Sequence, residues 1–121
     1  MNLVFGMDGV ICTPCNDYHE VDRAKPLTNV REFMTWLMKK EHHITIWCKR
    51  PNSLDWVMAT KEWLAENQIP YSRLLFDRPY NPVMVSETPP NAKYYKHDND
   101  MNIIADMFEE WKDEQIKKQK D

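Results

Sequence analysis

The chain has 121 residues, enough for one domain and no second one, and a domain of this length buries roughly two thirds of its unfolded surface. Sixteen basic and nineteen acidic residues leave a formal charge of -3 with no basic block outside the tail, which argues against a nucleic-acid binder. No apolar run approaches the roughly 18 residues a membrane span needs, and the N-terminus lacks the basic-then-apolar pattern of a signal peptide, so a cytoplasmic protein without a membrane partner is the expectation.

Leu3 to Val10 is an apolar run of strand character that ends at Asp8, and the only two glycines of the chain, Gly6 and Gly9, flank that carboxylate. Glycine is placed where a backbone turns sharply or approaches a ligand, and open α/β sheets bind ligands beyond the carboxyl ends of their strands. Asp8 is therefore the first candidate site residue. Val10 to Lys25 mixes Cys, Pro, Asn, Asp and His without periodicity and reads as a loop or short hairpin.

A first helix is predicted from Pro26 to near Glu41. Leu27, Val30, Phe33, Met34, Leu37 and Met38 recur at helical spacing, with Asn29 and Glu32 as a capping pair. His43 to Trp47 is β-branched and aromatic and reads as a second strand running into the polar loop Cys48-Lys49-Arg50-Pro51. Asn52 or Ser53 then caps a second helix, whose inner stripe is read as Leu54, Val57, Met58, Lys61 and Leu64. Trp56, Thr60 and Trp63 form a rival stripe, which either packs in the core or makes a self-association face and hence a homo-oligomer. Ser72 to Phe76 reads as a third strand and Pro82 to Glu87 as a fourth. The last helix begins at Asp100 and is expected to reach about residue 117, with Met101, Ile104, Met107, Phe108 and Trp111 on one face and acidic residues at its positive end. The charged run from Lys112 to Asp121 is expected to be solvated and to fray. Strands alternating with helices predict a parallel sheet covered on both faces, a three-layer Rossmann-like α/β domain spanning residues 1–121.

Over about residues 2–90 these elements resemble the haloacid dehalogenase (HAD) superfamily, most of whose members transfer phosphoryl groups. The first family motif, Asp-x-Asp-Gly-Thr or Asp-x-Asp-Gly-Val after an apolar strand, is matched by Gly6-Met7-Asp8-Gly9-Val10. The second, a strand ending in Ser or Thr, is matched by Ile44-Thr45-Ile46-Trp47-Cys48. Arg78-Pro79 stands for the third, which supplies a Lys, and Val83 to Glu87 for the fourth, a strand ending in acids. A competing register for the fourth uses His97-Asp98, but helix capping explains Asp98 to Asp100. The short loop after the first motif is similar to capless members, in particular small phosphatase-like proteins linked to capsular polysaccharide synthesis.

What the resemblance implies is altered by its departures. The family's nucleophilic Asp is replaced by Gly6, which has nothing to attack phosphorus with, and uncatalysed phosphate-monoester hydrolysis is among the slowest reactions known. Asp8 matches the family's general acid/base. Of the family's magnesium ligands, a carbonyl at Asp8 and an acid at Glu87 remain, so Mg²⁺ binding is expected to be weak or absent. Gly9, Cys48, Lys49 and Arg78 are the phosphate-binding candidates, for a small phosphorylated ligand. Cys48 stands where the family has a hydroxyl, and a thiol is a weaker donor. Arg78 keeps the charge of the family's Lys and adds a planar fork. The expectation is a protein that has lost phosphatase activity. The alternatives are a Mg²⁺-dependent phosphatase working through Asp8 and a water, and an interaction module using Trp56 and Trp63.

Each candidate has a plainer reading. Asp8 could serve only to receive loop donors, and Arg50 reads as an ordinary solvated loop charge. Cys12-Thr13-Pro14-Cys15, followed by His19, resembles half of a zinc knuckle that Cys48, His42, His43 or His97 would have to complete. Zinc is disfavoured against free, partly buried thiols, since three cysteines in a chain without a secretory signal cannot all pair. A redox dithiol is disfavoured because the pair does not open a helix. Cysteine-phosphatase chemistry is excluded because no cysteine has Arg at the sixth following position.

Overall fold

The computed structural model describes residues 2–77 and 98–120. Arg78, Glu87, the fourth strand and the alternative His97 lie outside the described residues, so the third and fourth motif matches have no structural counterpart among them. Strand β1 (Asn2–Phe5) leads through a 3-10 turn (Tyr18–Arg23) to helix α1 (Val30–Lys39), then come β2 (His43–Trp47), α2 (Leu54–Glu66), β3 (Arg73–Leu75) and α3 (Asp98–Lys120). Among the described residues the strands form one parallel sheet in the order β1-β2-β3, with Leu3 opposite Ile44, Phe5 opposite Ile46, and Ile46 opposite Leu74. Parallel neighbours need a crossover, and α1 and α2 lie in the two connections.

Burial explains the strand composition. Leu3, Val4 and Phe5, and then Ile44, Thr45, Ile46 and Trp47, are consecutively buried, so β1 and β2 are covered on both faces and need no polar alternation. Leu3, Phe5, Ile44 and Ile46 share one core with Val30, Phe33, Met34 and Leu37 of α1 and Trp63 and Leu64 of α2. Each such aliphatic or aromatic side chain contributes about 1.5–3 kcal/mol on burial.

Helix α1 starts at Val30 rather than Pro26, and Asn29 stands at its N-cap. The expected capping pair is not formed: Asn29 is left-handed (φ 66) and its side chain makes no cap hydrogen bond. A residue needs extended backbone to aim its side chain at the first-turn amides, and a left-handed one cannot do so. Both α1 and α2 stop by the same device. After α1, the His42 and Glu41 amides donate to Leu37 and Met38 at 3.1 and 3.0 Å; after α2, the Ile69 and Gln68 amides donate to Leu64 and Ala65 at 3.0 and 3.2 Å. Glu41 (φ 67) and Gln68 (φ 55) take the left-handed position that glycine usually fills, and each stop turns the chain into the next strand or its approach.

The expected inner stripe of α2 is buried at Leu64 but not at Leu54 and Met58, and the rival stripe takes the core-packing alternative. Thr60, Trp63 and Leu64 are buried and Trp56 half-buried, whereas Leu54 is 73% exposed and Met58 52% exposed. The Trp63 indole N–H donates to the Ala24 carbonyl at 2.8 Å, fixing the ring inside the core, so Trp63 is not part of an exposed self-association face. Helix α3 runs from Asp98 to Lys120, close to the expected bounds, and the turn just after Trp111, expected to be solvated, is docked. Trp111 is buried, Phe108 meets Phe33 edge-on at 5.0 Å, and Glu114 accepts from the Trp36 indole and pairs with Lys40 at 3.6 Å. These contacts dock α3 on α1. Among the described residues no helix is long and apolar enough to cross a membrane.

Candidate functional site at the carboxyl ends of the first two strands

The turn after β1 is wound around one carbonyl. Met7 is buried, and its oxygen accepts from the amides of Val10, Ile11 and Cys12 at 3.2, 2.9 and 3.2 Å. The Gly9 amide donates to the Cys12 carbonyl at 2.8 Å, which requires the positive φ of 81 found there. The following loop is tied at its base like a short hairpin: Thr13 donates to the Lys25 carbonyl at 2.9 Å, the Lys25 amide donates to the Thr13 hydroxyl at 2.9 Å, and Leu27 donates to Ile11 at 2.9 Å. Asp17 caps the 3-10 turn by accepting from the His19 amide at 3.1 Å.

That turn presents the Asp8 carboxylate to Arg50, three residues beyond the end of β2. Arg50 is not a solvated loop charge: its side chain is 3% exposed, while that of Asp8 is 26% exposed. The Nε of Arg50 donates to Oδ2 of Asp8 at 3.0 Å and Nη2 donates to Oδ1 at 2.8 Å, a two-pronged, charge-assisted pair. Nη1 donates to the Thr60 hydroxyl at 2.9 Å, and Nη2 also reaches Cys15 Sγ at 3.3 Å and Cys12 Sγ at 3.6 Å. The two thiols in turn lie 3.8 and 3.9 Å from Oδ1 of Asp8. The Trp56 ring sits 5.7 Å from the guanidinium carbon, and the Arg50 carbonyl accepts from the Asp77 amide at 2.9 Å. The Arg50 side chain thus joins the β1 turn to α2, and its backbone carbonyl ties in the exit from β3.

Electrostatics follow from this packing. Burial works against the Arg50 charge, but the hydrogen bonds and the charge of Asp8 outweigh it, and its pKa is raised. Burial pushes the Cys12 thiol up to about 12 and the Cys48 thiol up to about 11, and raises Cys15, in each case against the pull of Arg50. All three cysteines are free. They are neutral thiols at physiological pH, unsuited to nucleophilic work.

Two of the four candidate phosphate donors are engaged within the protein, and Arg78 lies outside the described residues. The Gly9 amide is taken by Cys12, and the Cys48 amide donates to the Leu75 carbonyl at 2.9 Å while its Sγ lies 3.4 Å from the same oxygen. Lys49 is exposed. Asp8 has both oxygens engaged by Arg50, and the neighbouring position of the motif is Gly6, without a carboxylate. The Asp8 carboxylate and Gly6 by themselves do not supply the near-octahedral oxygen ligation a magnesium ion wants, and Glu87, the other candidate ligand, lies outside the described residues. Nor do Cys12 and Cys15 pair with His19 around a metal: their sulfurs face the guanidinium, and among the described residues no three His, Cys, Asp or Glu side chains form a group that could hold a metal ion. Sequence reasoning separated Cys12 and Cys15 from Asp8 and did not reach Thr60. The signal for Arg50 was its place just past a strand end, but charge alone does not distinguish a solvated arginine from a buried one.

No protein-family model matches the sequence, and no curated protein matches it. Solved structures do resemble it. A Vibrio cholerae target protein aligns with a TM-score of 0.57 and 18% identity over 91% of this chain and 98% of its own. A chain of a Pnkp1/Rnl/Hen1 complex aligns with a TM-score of 0.61 and 18% identity over 77% of this chain, and a chain of the Pnkp1/Rnl/Hen1 RNA repair complex with a TM-score of 0.55 and 20% identity over 66%. Our chain spans only 36% and 26% of the length of those two. At these identities the likeness shows a shared α/β fold built on a small parallel sheet.

Proposed function

We propose that this chain is a capless, three-layer HAD-like domain whose phosphoryl-transfer apparatus has decayed, leaving a binding or scaffold protein. The observation that carries the reading is the Arg50 clamp on Asp8 beside Gly6. A general acid must offer a proton to the leaving oxygen, and both oxygens of Asp8 instead accept from one guanidinium. With Gly6 at the nucleophile position no covalent phosphoenzyme can form there, and the described residues offer no ligand set for magnesium in compensation. The inward-turned amides of Gly9 and Cys48 support weak rather than tight binding of a phosphorylated ligand.

The test is hydrolysis of para-nitrophenyl phosphate by purified protein with Mg²⁺. The expected rate is that of buffer, unchanged by Asp8→Asn. Turnover above buffer that Asp8→Asn abolishes would overturn the proposal in favour of a phosphatase using Asp8 and a water.

A further inference from the structure

We infer that Asp8, Cys12, Cys15, Thr60 and Trp56 form a guanidinium-selective pocket into which the chain inserts its own Arg50, so that the resident cation of this rim is a side chain and not an ion. The inference concerns what the pocket recognises and stands apart from the proposed loss of turnover.

A guanidinium has five N–H groups in one plane, and four of those on Arg50 meet acceptors of this pocket. Nε uses its single N–H on Oδ2 of Asp8. Nη1 spends one on the Thr60 hydroxyl. The two on Nη2 meet three acceptors, the Asp8 Oδ1 and the sulfurs of Cys15 and Cys12. The acceptors therefore trace the fork of a guanidinium, with an oxygen at each of its three nitrogens and two polarisable sulfurs beside the one at Nη2.

An ammonium could not reach Asp8 Oδ2, Thr60 Oγ1 and the sulfurs from one nitrogen, because these acceptors belong to three different nitrogens of Arg50. A metal ion is a poorer match still. The two sulfurs and Oδ1 stand 3.3, 3.6 and 2.8 Å from Nη2, whereas zinc requires thiolates at about 2.3 Å and oxygen at about 2.0–2.2 Å. The half-buried Trp56 ring beside the guanidinium carbon adds a face suited to a flat cation. Two consequences follow: the carboxylate at the sheet rim is neutralised without a cofactor, and the loop carrying Cys12 and Cys15 is held by the same group.

Chemical rescue tests this in the full chain. Arg50→Ala should lower Tm, and methylguanidinium should raise the variant's Tm saturably, by about 5 °C at tenfold over its dissociation constant, relative to wild type in the same salt. Methylammonium and MgCl₂ should not, and the Arg50→Ala/Asp8→Asn double variant should lose the effect. Rescue by a divalent cation or by methylammonium in place of methylguanidinium would overturn the inference, as would equal rescue of the double variant or no destabilisation at all. Where Arg50→Ala does not fold, the intact protein decides. The Arg50 Nε–H proton should exchange with water at least tenfold more slowly than that of free arginine, and Asp8→Asn should remove the protection. Exchange at the free rate in the wild type would overturn the inference. Hydrolysis of a phosphomonoester would sink only the proposed function, since that assay does not read guanidinium recognition.

Discussion

Removing Asp8 should cost more stability than its half-exposed loop position suggests, because the penalty falls on its partner. In Asp8→Ala the Arg50 guanidinium, 3% exposed, loses both carboxylate bonds and keeps only the Thr60 hydroxyl and two sulfurs as acceptors. Deleting one member of a buried ion pair costs about 3–5 kcal/mol. A domain of this size has about 5–15 kcal/mol in all, so the variant should lose a large fraction of it. At about 4 °C per kcal/mol, Tm should fall by about 12–20 °C. Replacing both partners by apolar residues, Asp8→Leu with Arg50→Met, removes the stranded charge as well, and that double variant should be markedly more stable than Asp8→Ala. Urea titrations of wild type, Asp8→Leu, Arg50→Met and the double variant, with m held constant, measure the coupling, and Asp8→Ala is titrated beside them. If Asp8→Ala lies within about 1 kcal/mol of wild type, the guanidinium finds water on losing its partner, and the buried clamp is not the organising contact described here.

Three further outcomes are expected. Stability should fall in alkali: the Cys12 and Cys48 thiols are raised from 9.0 to about 12 and about 11, so above pH 9 the unfolded chain releases protons that the folded chain keeps, and stability present below pH 9 is lost progressively up to about pH 11–12; Cys12→Ser with Cys48→Ala should flatten the pH dependence of the urea midpoint. Gly9→Ala should cost about 1–2 kcal/mol from backbone strain alone, since φ is 81 and an added Cβ meets nothing within 4 Å, whereas Gln68→Gly, at φ 55 in a helix stop, should gain up to about 1 kcal/mol by thermal melting. Trp111→Ala should cost about 3–5 kcal/mol by urea titration, because its indole is buried beside Phe33 and Phe108; a loss under 1 kcal/mol would mean that α3 is not docked as described.

The elements that could be read from the sequence are those where local pattern and burial agree. β2 spans His43–Trp47 as expected because a short β-branched and aromatic run, buried from Ile44 to Trp47, is recognised without knowing its partners. The face of α2 was left between two stripes because its apolar residues fit both, and only the presence of Ala24 to receive the Trp63 indole and of Arg50 to meet Thr60 selects between them. The docking of the turn after Trp111 was missed because a run such as Lys112 to Gln115 looks solvated until Trp36 and Lys40 of the α1 region are brought beside Glu114.

At the candidate site the sequence alone determined that a carboxylate stands at the end of the first strand, that glycines bracket it, and that no second carboxylate stands where the family's nucleophile would be. It could not determine the state of that carboxylate. Asp8 and Arg50 are 42 positions apart, and whether they meet depends on the register that sets β1 beside β2 and on the helix that carries Thr60 under the guanidinium. A charge is solvated or buried according to what packs around it, and that is a property of the assembled sheet and helices, not of any local stretch of chain.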